Sequence, residues 1–243
     1  MKSRPPNADI CVATVTWARD ADEEELIRRA LTKLAAAELP IVVADGGSSS
    51  AFVSSLRRVP HLTFAEPEGR GLIAQVKASL AAAAKLQSEF ILYTESDKLM
   101  FFEQKLETFL LDRPAADDVG VVISARNDES FATFPRTQRV TEAAINALTG
   151  DFVGRPGDYS YGPFLMNRRL AKFLDPVPAD IGWGWRHYQF AVAARLGLQV
   201  VHAVDDLPCP QDQRADVERE HRLKQLTQNV NGLLLGMEVP LND

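Results

Sequence analysis

FILYTESDK, residues 90–98, is the stretch on which the fold turns. Phe90, Ile91 and Leu92 open an apolar run that reads as a buried strand, and the run passes straight into Glu95, Ser96 and Asp97. Side chains of an extended strand alternate between faces, so this reading puts Glu95 and Asp97 on one side. Two carboxylates there repel unless a divalent cation lies between them and something anionic, or unless one stays protonated. The plainer reading is a helix N-cap with an acidic first turn, with Lys98 as partner.

Upstream, the same strand grammar repeats. Residues 10–15 (ICVATV) form a short β-rich run, followed by an acidic helix start at 20–25 and an amphipathic stretch to Ala37. Residues 39–44 (LPIVVA) read as a second buried strand, ended by Asp45-Gly46-Gly47 and three serines suited to cap a helix. Residues 61–65 read as a third. Glu68-Gly69-Arg70-Gly71 then turns into a long alanine-rich helix reaching about Leu86, and residues 90–94 form the fourth strand. Continuous apolar strands alternating with helices predict an α/β fold with a mostly parallel sheet covered on both faces.

The second half differs. Residues 118–125 (DVGVVISA) read as a strand, and long segments rich in Arg, Pro, Gly and aromatics follow: NDESFATFPRTQR, GRPGDYSYGPF and PADIGWGWRHY. Loops of that length in a compact domain are usually functional. Helices are expected at 141–149, 168–174 and 186–196, a strand at 198–204, and a tail helix over 214–235 whose apolar end (NGLLLG) packs on the domain, forms a homodimer seam or touches a membrane. The expected organisation is one domain over 1–243: a half at 9–112, a loop-rich half at 118–213, and a C-terminal helix and tail at 214–243.

Composition narrows the function classes. The chain has 243 residues, 46% hydrophobic and 25% charged, which is ordinary for a globular protein. A net charge of -6 argues against a general nucleic-acid binder and leaves a local phosphate site open. Cys11 and Cys209 lie far apart and form no metal-finger spacing. No apolar segment follows the basic start MKSRPPNAD, and no window approaches the roughly 18 apolar residues of a membrane span. The expected location is therefore cytoplasmic, without a transmembrane segment.

In an open parallel sheet, ligands bind beyond the carboxyl ends of the strands, near the point where strand order reverses. Thr14, Thr16 and Trp17, Asp45 with its glycines, and Glu95 with Asp97 are expected to meet there. Arg70 and the helix start at Gly71 suit an anion, and Lys77, about two turns on, is a second candidate phosphate contact. Together they describe a nucleotide diphosphate site: an acid for base or ribose, cations for phosphates, a carboxylate pair for a metal. Taken singly, Asp45-Gly46-Gly47 is equally a tight turn with a helix cap, and Arg70 equally a surface charge.

In order and spacing, IVVADGGSSS, EGRGLIAQVKASLAAA and FILYTESDK resemble the amino-terminal half of GT-A fold glycosyltransferases of the family-2 type. The resemblance covers residues 9–112. It implies a Rossmann-like sheet flanked by helices, a nucleotide-diphospho-sugar donor and a Mn²⁺ or Mg²⁺ cofactor. It further implies that Asp45 contacts the base, that Arg70 and Lys77 lie near ribose or phosphate, and that Asp97 binds metal; Thr14 and Trp17, placed by the strand ends, are candidates for the same donor site. Glu95 stands where the family's DxD motif has its first aspartate, within reach of the metal or a ribose hydroxyl.

DIGWGWRHY at 180–188 resembles the Gly-Trp-Gly segment that lines the acceptor site in this group, which makes Trp183, Trp185 and Arg186, with Tyr161, acceptor-binding candidates. The acidic pair that follows it in many inverting members is missing. Either Asp180 or Asp158 replaces that base, or the enzyme is a retaining one without it. The tryptophans also read as core aromatics, while Gly182 and Gly184 permit close backbone approach. His187, His202 and His221 remain unassigned as third metal ligands.

The implied activity is metal-dependent sugar transfer to an acceptor hydroxyl of unknown identity. The alternatives are a sugar-1-phosphate nucleotidyltransferase and a non-catalytic sugar-nucleotide or carbohydrate-binding protein. The first usually needs a glycine-rich loop after the opening strand, and TWARDADEEE (16–25) has no glycine.

Overall fold

A computed structural model describes residues 9–111 and 117–241. The N-terminal residues read above for a leader, and most of the boundary between the expected halves, lie outside them. The strands are β1 (Ile10–Thr16), β2 (Ile41–Asp45), β3 (Leu62–Phe64), β4 (Phe90–Tyr93), β5 (Val119–Arg126), β6 (Phe164–Asn167) and β7 (Gln199–Asp205). The helices are α1 (Ala21–Ala35), α2 (Ser50–Leu56), α3 (Leu72–Ala84), α4 (Leu99–Gln104), α5 (Leu106–Leu111), α6 (Asp128–Ala132), α7 (Arg136–Val153), α8 (Trp185–Arg195) and α9 (Arg219–Glu238).

The chain forms two compact units. One takes the described residues of Met1–Arg113 together with Pro163–Asp175, and the other those of Pro114–Gly162 together with Pro176–Asp243. The expected halves meet near the same boundary, but the second is interrupted, because residues 163–175 return to the first unit.

In the first unit the strand order is β3-β2-β1-β4-β6. β1 pairs in parallel with β2 and with β4, and β2 in parallel with β3. The chain winds from β1 outward to β3, then crosses back to lay β4 on the other side of β1. The reversal therefore falls between β1 and β4. Helix α3 covers β1, β2 and β4. Ile73, Val76, Leu80 and Ala83 form its buried stripe. Asp20 caps α1 by accepting from the Glu23 amide, with Asp22, Glu23 and Glu24 in the first turn, where the helix dipole favours anions.

Two expectations change here. β4 stops at Tyr93, and residues 96–97 form a turn in which the Leu99 amide donates to the Asp97 carbonyl at 2.8 Å. Strand alternation therefore does not set Glu95 against Asp97; both sit on the chain's exit from the strand. Within the segment expected to be a loop, Phe164–Asn167 is a strand that pairs antiparallel with β4, Tyr93 against Phe164. Three apolar residues and an asparagine behind a Gly-Pro pair are too few for periodicity to mark them. The helix expected at 168–174 is a 3₁₀ segment.

In the second unit β5 and β7 pair in parallel, with the register slipping around Gly120. A Cβ at Gly120 would lie 2.7 Å from that of Leu198. Helix α7 starts at Arg136, after Pro135 and within NDESFATFPRTQR, and runs longer than expected; α6 occupies the segment's beginning. α7, α8 and α9 share a core in which Ile145, Ala191 and Leu233 meet. α9 lies backbone to backbone on the start of α8: a Cβ on Gly184 would come within 1.9 Å of the Gln228 carbonyl oxygen, and one on Gly232 within 1.9 Å of the Gly184 oxygen. Gly184 thus serves helix packing, not close approach of a sugar. The NGLLLG end packs on its own domain through Gly232, Leu233 and Gly236.

The same unit buries an ion cluster. Arg126, the last residue of β5, donates from Nε to Asp158 at 2.7 Å and from Nη2 to Glu142 at 2.7 Å, with its side chain fully buried. Its guanidinium lies 4.7 and 4.4 Å from the ring centres of Phe131 and Phe134. This corrects one reading of Asp158. Burial alone would raise its carboxyl, but the hydrogen bonds and charge of Arg126 outweigh burial and hold it below the usual carboxylate range. A carboxylate so held is a poor proton acceptor, and its oxygens are taken up by Arg126, Asn146 and the Ser160 amide. Trp185 is likewise corrected: it is fully buried and belongs to the core, not to an acceptor surface.

Two measurements check this packing. Gly232→Ala should lower unfolding free energy by roughly 1–3 kcal/mol or more in urea, since the clash is with backbone that cannot swing aside; wild-type stability would mean that α9 is not docked this closely. The second concerns acid. Burial depresses His187 to about 3 and His202 to about 4. Stability should be full above the unfolded histidine value of about 6.5 and fall as pH drops from there toward about 3, because the unfolded chain takes up protons that the folded one refuses. The melting temperature of His187→Gln/His202→Gln should decline less steeply over that window.

Candidate functional site

The carboxyl ends of β1, β2 and β4 are stitched together by side chains. Thr14 Oγ1 donates to the Thr94 carbonyl at 2.7 Å, closing the gap where strand order reverses. Thr16 Oγ1 donates to Asp45 Oδ1 at 2.8 Å, and the Gly46 amide donates to the Thr16 carbonyl at 2.7 Å. Asp45 also accepts at Oδ2 from the Gly47 and Ser48 amides (2.8 and 2.9 Å) and at Oδ1 from Ser48 Oγ (2.6 Å). Ser48 Oγ in turn accepts from the Ala18 amide at 2.9 Å. Both carboxylate oxygens of Asp45 are thus engaged in holding the turn.

Gln75, in the first turn of α3, locks the helix to this edge. Its Nε2 donates to the Thr16 carbonyl at 2.8 Å and to the Ala44 carbonyl at 3.1 Å. A Cβ at Gly46 would stand 2.8 Å from that nitrogen, so the amide lies where only a glycine leaves room. The N-terminus of α3 is consequently fixed beside the Asp45-Gly46-Gly47 turn. It begins at Gly71 with no side-chain cap, and Gly69 and Gly71 take φ values of 109° and 90°, which glycine adopts without strain. Arg70 sits exposed between them. Uncapped amides, a helix dipole and a guanidinium in one place suit an anion.

Trp17 follows β1 at the same edge and is 61% exposed, with the Arg19 guanidinium 6.0 Å from its ring centre. A ring that exposed is available for stacking. Glu95 is half-buried and Asp97 exposed just past β4. Thr14, Trp17, Asp45, Arg70, Glu95 and Asp97 are therefore all at the carboxyl edge of the first unit. Lys77 is not: its ammonium donates to the Asp175 carbonyl at 2.9 Å, tying α3 to the segment that follows β6.

Among the described residues no group of three or more His, Cys, Asp or Glu is placed to hold a metal ion. The donor chemistry still suits a hard divalent cation, since Mg²⁺ is commonly held by one or two carboxylates with phosphate and water oxygens completing its shell.

In the second unit, Tyr161 is half-buried with the Arg126 guanidinium 5.8 Å from its ring centre, and Trp183 is half-buried with that of Arg186 at 5.5 Å. Arg186 is itself buried, its Nη2 reaching the Ser160 carbonyl at 3.4 Å. It borders a cavity of about 10 Å³, room for one water, into which Asn229 also faces. Asp180 is exposed in the turn before Ile181. Sequence reasoning missed Gln75, Ser48 and Thr94. Gln75 had a signal: it is a lone amide in the first turn of a mostly apolar helix.

No protein-family model matches the chain, and no curated protein matches it. Solved structures do match in shape. Glucosyl-3-phosphoglycerate synthase from Mycobacterium tuberculosis, in complex with Mn²⁺, UDP and phosphoglyceric acid, superposes with a TM-score of 0.66 at 16% identity, covering 95% of this chain and 79% of that one. Its complex with Mn²⁺, UDP-glucose and phosphoglyceric acid gives 0.64 at 17% identity, covering 95% and 80%. A further mycobacterial protein gives 0.62 at 19%, covering 95% and 75%. At such identities the likeness is one of fold. The chain has a GT-A type, Rossmann-like α/β fold, a mostly parallel sheet flanked by helices.

Proposed function

We propose that this protein is a glycosyltransferase that takes a sugar from a nucleotide-diphospho-sugar and joins it to an acceptor hydroxyl. The observation that carries the reading is the Gln75 clamp. It sets the uncapped start of α3 and Arg70 at the strand edge that also bears Trp17, Glu95 and Asp97. That edge offers an anion cradle, a flat ring and two carboxylates, which is what a nucleotide diphosphate with a divalent cation requires.

In this reading the amides at the start of α3 and Arg70 bind the diphosphate, and Trp17 stacks on the base or sugar. Asp45 shapes the turn and meets the nucleoside through the groups it orders, with a direct contact requiring one of its hydroxyl partners to rotate away. Glu95 and Asp97 would hold Mn²⁺ or Mg²⁺, which offsets charge on the departing nucleoside diphosphate. UDP-glucose is the first donor to try, since proteins of this fold have been seen with it, and phosphoglyceric acid the first acceptor. Tyr161, Trp183 and Arg186 are the acceptor candidates. If the reaction inverts, Asp180 takes the acceptor proton; if it retains, no enzymic base is needed there.

A binding protein without chemistry would keep the same edge, so turnover separates the two readings. Expected first is a rise in melting temperature with a UDP-sugar that grows on adding Mn²⁺ or Mg²⁺ and loses its metal dependence in Asp97→Ala. No shift with any UDP-, GDP-, ADP- or TDP-sugar would sink the proposal. Trp17→Ala should weaken nucleotide binding by roughly 2- to 10-fold in calorimetry while leaving unliganded stability within about 0.5 kcal/mol, because the ring is exposed.

A further inference from the structure

Helix α9 presents two opposite faces. Asn229, Gly232, Leu233 and Gly236 are buried against its own unit, and the glycine contacts leave no freedom to rotate the helix. Outward face Leu223, Thr227, Leu234 and Met237, and between them Val230 is half-buried, leaning onto its own core of Ile145, Ala191 and Leu233. These five recur at alternating intervals of four and three, the spacing of a helix-pairing seam. Leu223, Leu234 and Met237 are 57%, 49% and 42% exposed, so the seam is laid out but uncovered in the single chain.

We propose that a second copy of this chain covers it, with the two α9 helices antiparallel about a two-fold axis near Val230 and Asn231. Charge selects that occupant and that direction. In an antiparallel pair centred there, Leu223 faces Met237 of the second copy and Thr227 faces Leu234. Lys224 comes opposite Glu238, and the symmetry makes this pair twice. A parallel pair would set each charge against itself. Lys224 now bonds Glu220 at 2.7 Å, but both side chains are largely exposed, so exchanging that partner costs little. Asn231, on the same flank, meets its own copy at the axis, and one polar residue at a seam can fix register. At 20 residues the helix is about 30 Å long, enough for a continuous stripe.

Sedimentation velocity of the full chain over a micromolar range is the test. A dimer is expected, with Lys224→Glu and Glu238→Lys each weakening it at least about tenfold and the double exchange Lys224→Glu/Glu238→Lys restoring it. Leu234→Glu should give a monomer with unchanged far-ultraviolet circular dichroism. Asn231→Cys should cross-link to itself under mild oxidation, since Cys11 and Cys209 are both buried and contribute no background. A monomer at every concentration overturns the proposal, as does a dimer that ignores the charge variants and fails to cross-link at 231. A monomer that binds anionic phospholipid vesicles through the same stripe, losing them in Leu234→Glu, also overturns it and gives the face to a membrane surface.

Discussion

Parallel strands end in backbone groups that the neighbouring strand no longer satisfies, and the edge where β1, β2 and β4 stop is governed by that constraint. The Thr16 and Ala44 carbonyls take hydrogen bonds from the Gln75 amide, the Thr94 carbonyl from Thr14, and the Gly47 and Ser48 amides give theirs to Asp45. A buried or half-buried backbone group left without a partner costs as much as a lost hydrogen bond. Satisfying these groups with side chains, and not with further chain, keeps the edge open. The same bonds fix the start of α3, so one solution both satisfies the backbone and holds the helix start beside the edge.

That economy changes how the candidate residues divide. Asp45 and Gln75 do their work on the protein, whereas Trp17, Arg70 and Asp97 are exposed to whatever comes. Lys77 is tied to the 3₁₀ segment after β6. Glu95 and Asp97, leaving β4 on a turn, are spaced by that turn and not by a pleat, which suits ligands completed by a substrate's own oxygens better than a closed protein cage.

The second unit solves a different problem. Its polar centre is Arg126 between Asp158 and Glu142, walled by aromatic rings; such a cluster holds together because each charge has a partner at hydrogen-bond distance. Its helices close over this centre through glycines, and Gly182 and Gly184, read for close backbone approach, meet Gln228 of α9. A Gly-Trp-Gly run carries the same letters whether a ligand or another helix lies against it.

The parallel strands, the helices between them and the acidic exit of β4 were legible from residue order, because a buried parallel strand is continuously apolar and its ending in polar residues marks where the strand leaves the sheet. The cap of α1 and the break before α3 were legible for the same local reason. Tertiary structure alone decided that Asp158 is held by Arg126, since the two lie 32 residues apart and no local pattern couples them. It also decided that Trp185 is core and that Lys77 turns aside. Likewise, Phe164–Asn167 becomes a strand only because the edge of β4 offers it a partner. What a side chain tends to do is local and can be read from its neighbours; what it is left free to do depends on the partner the fold brings to it.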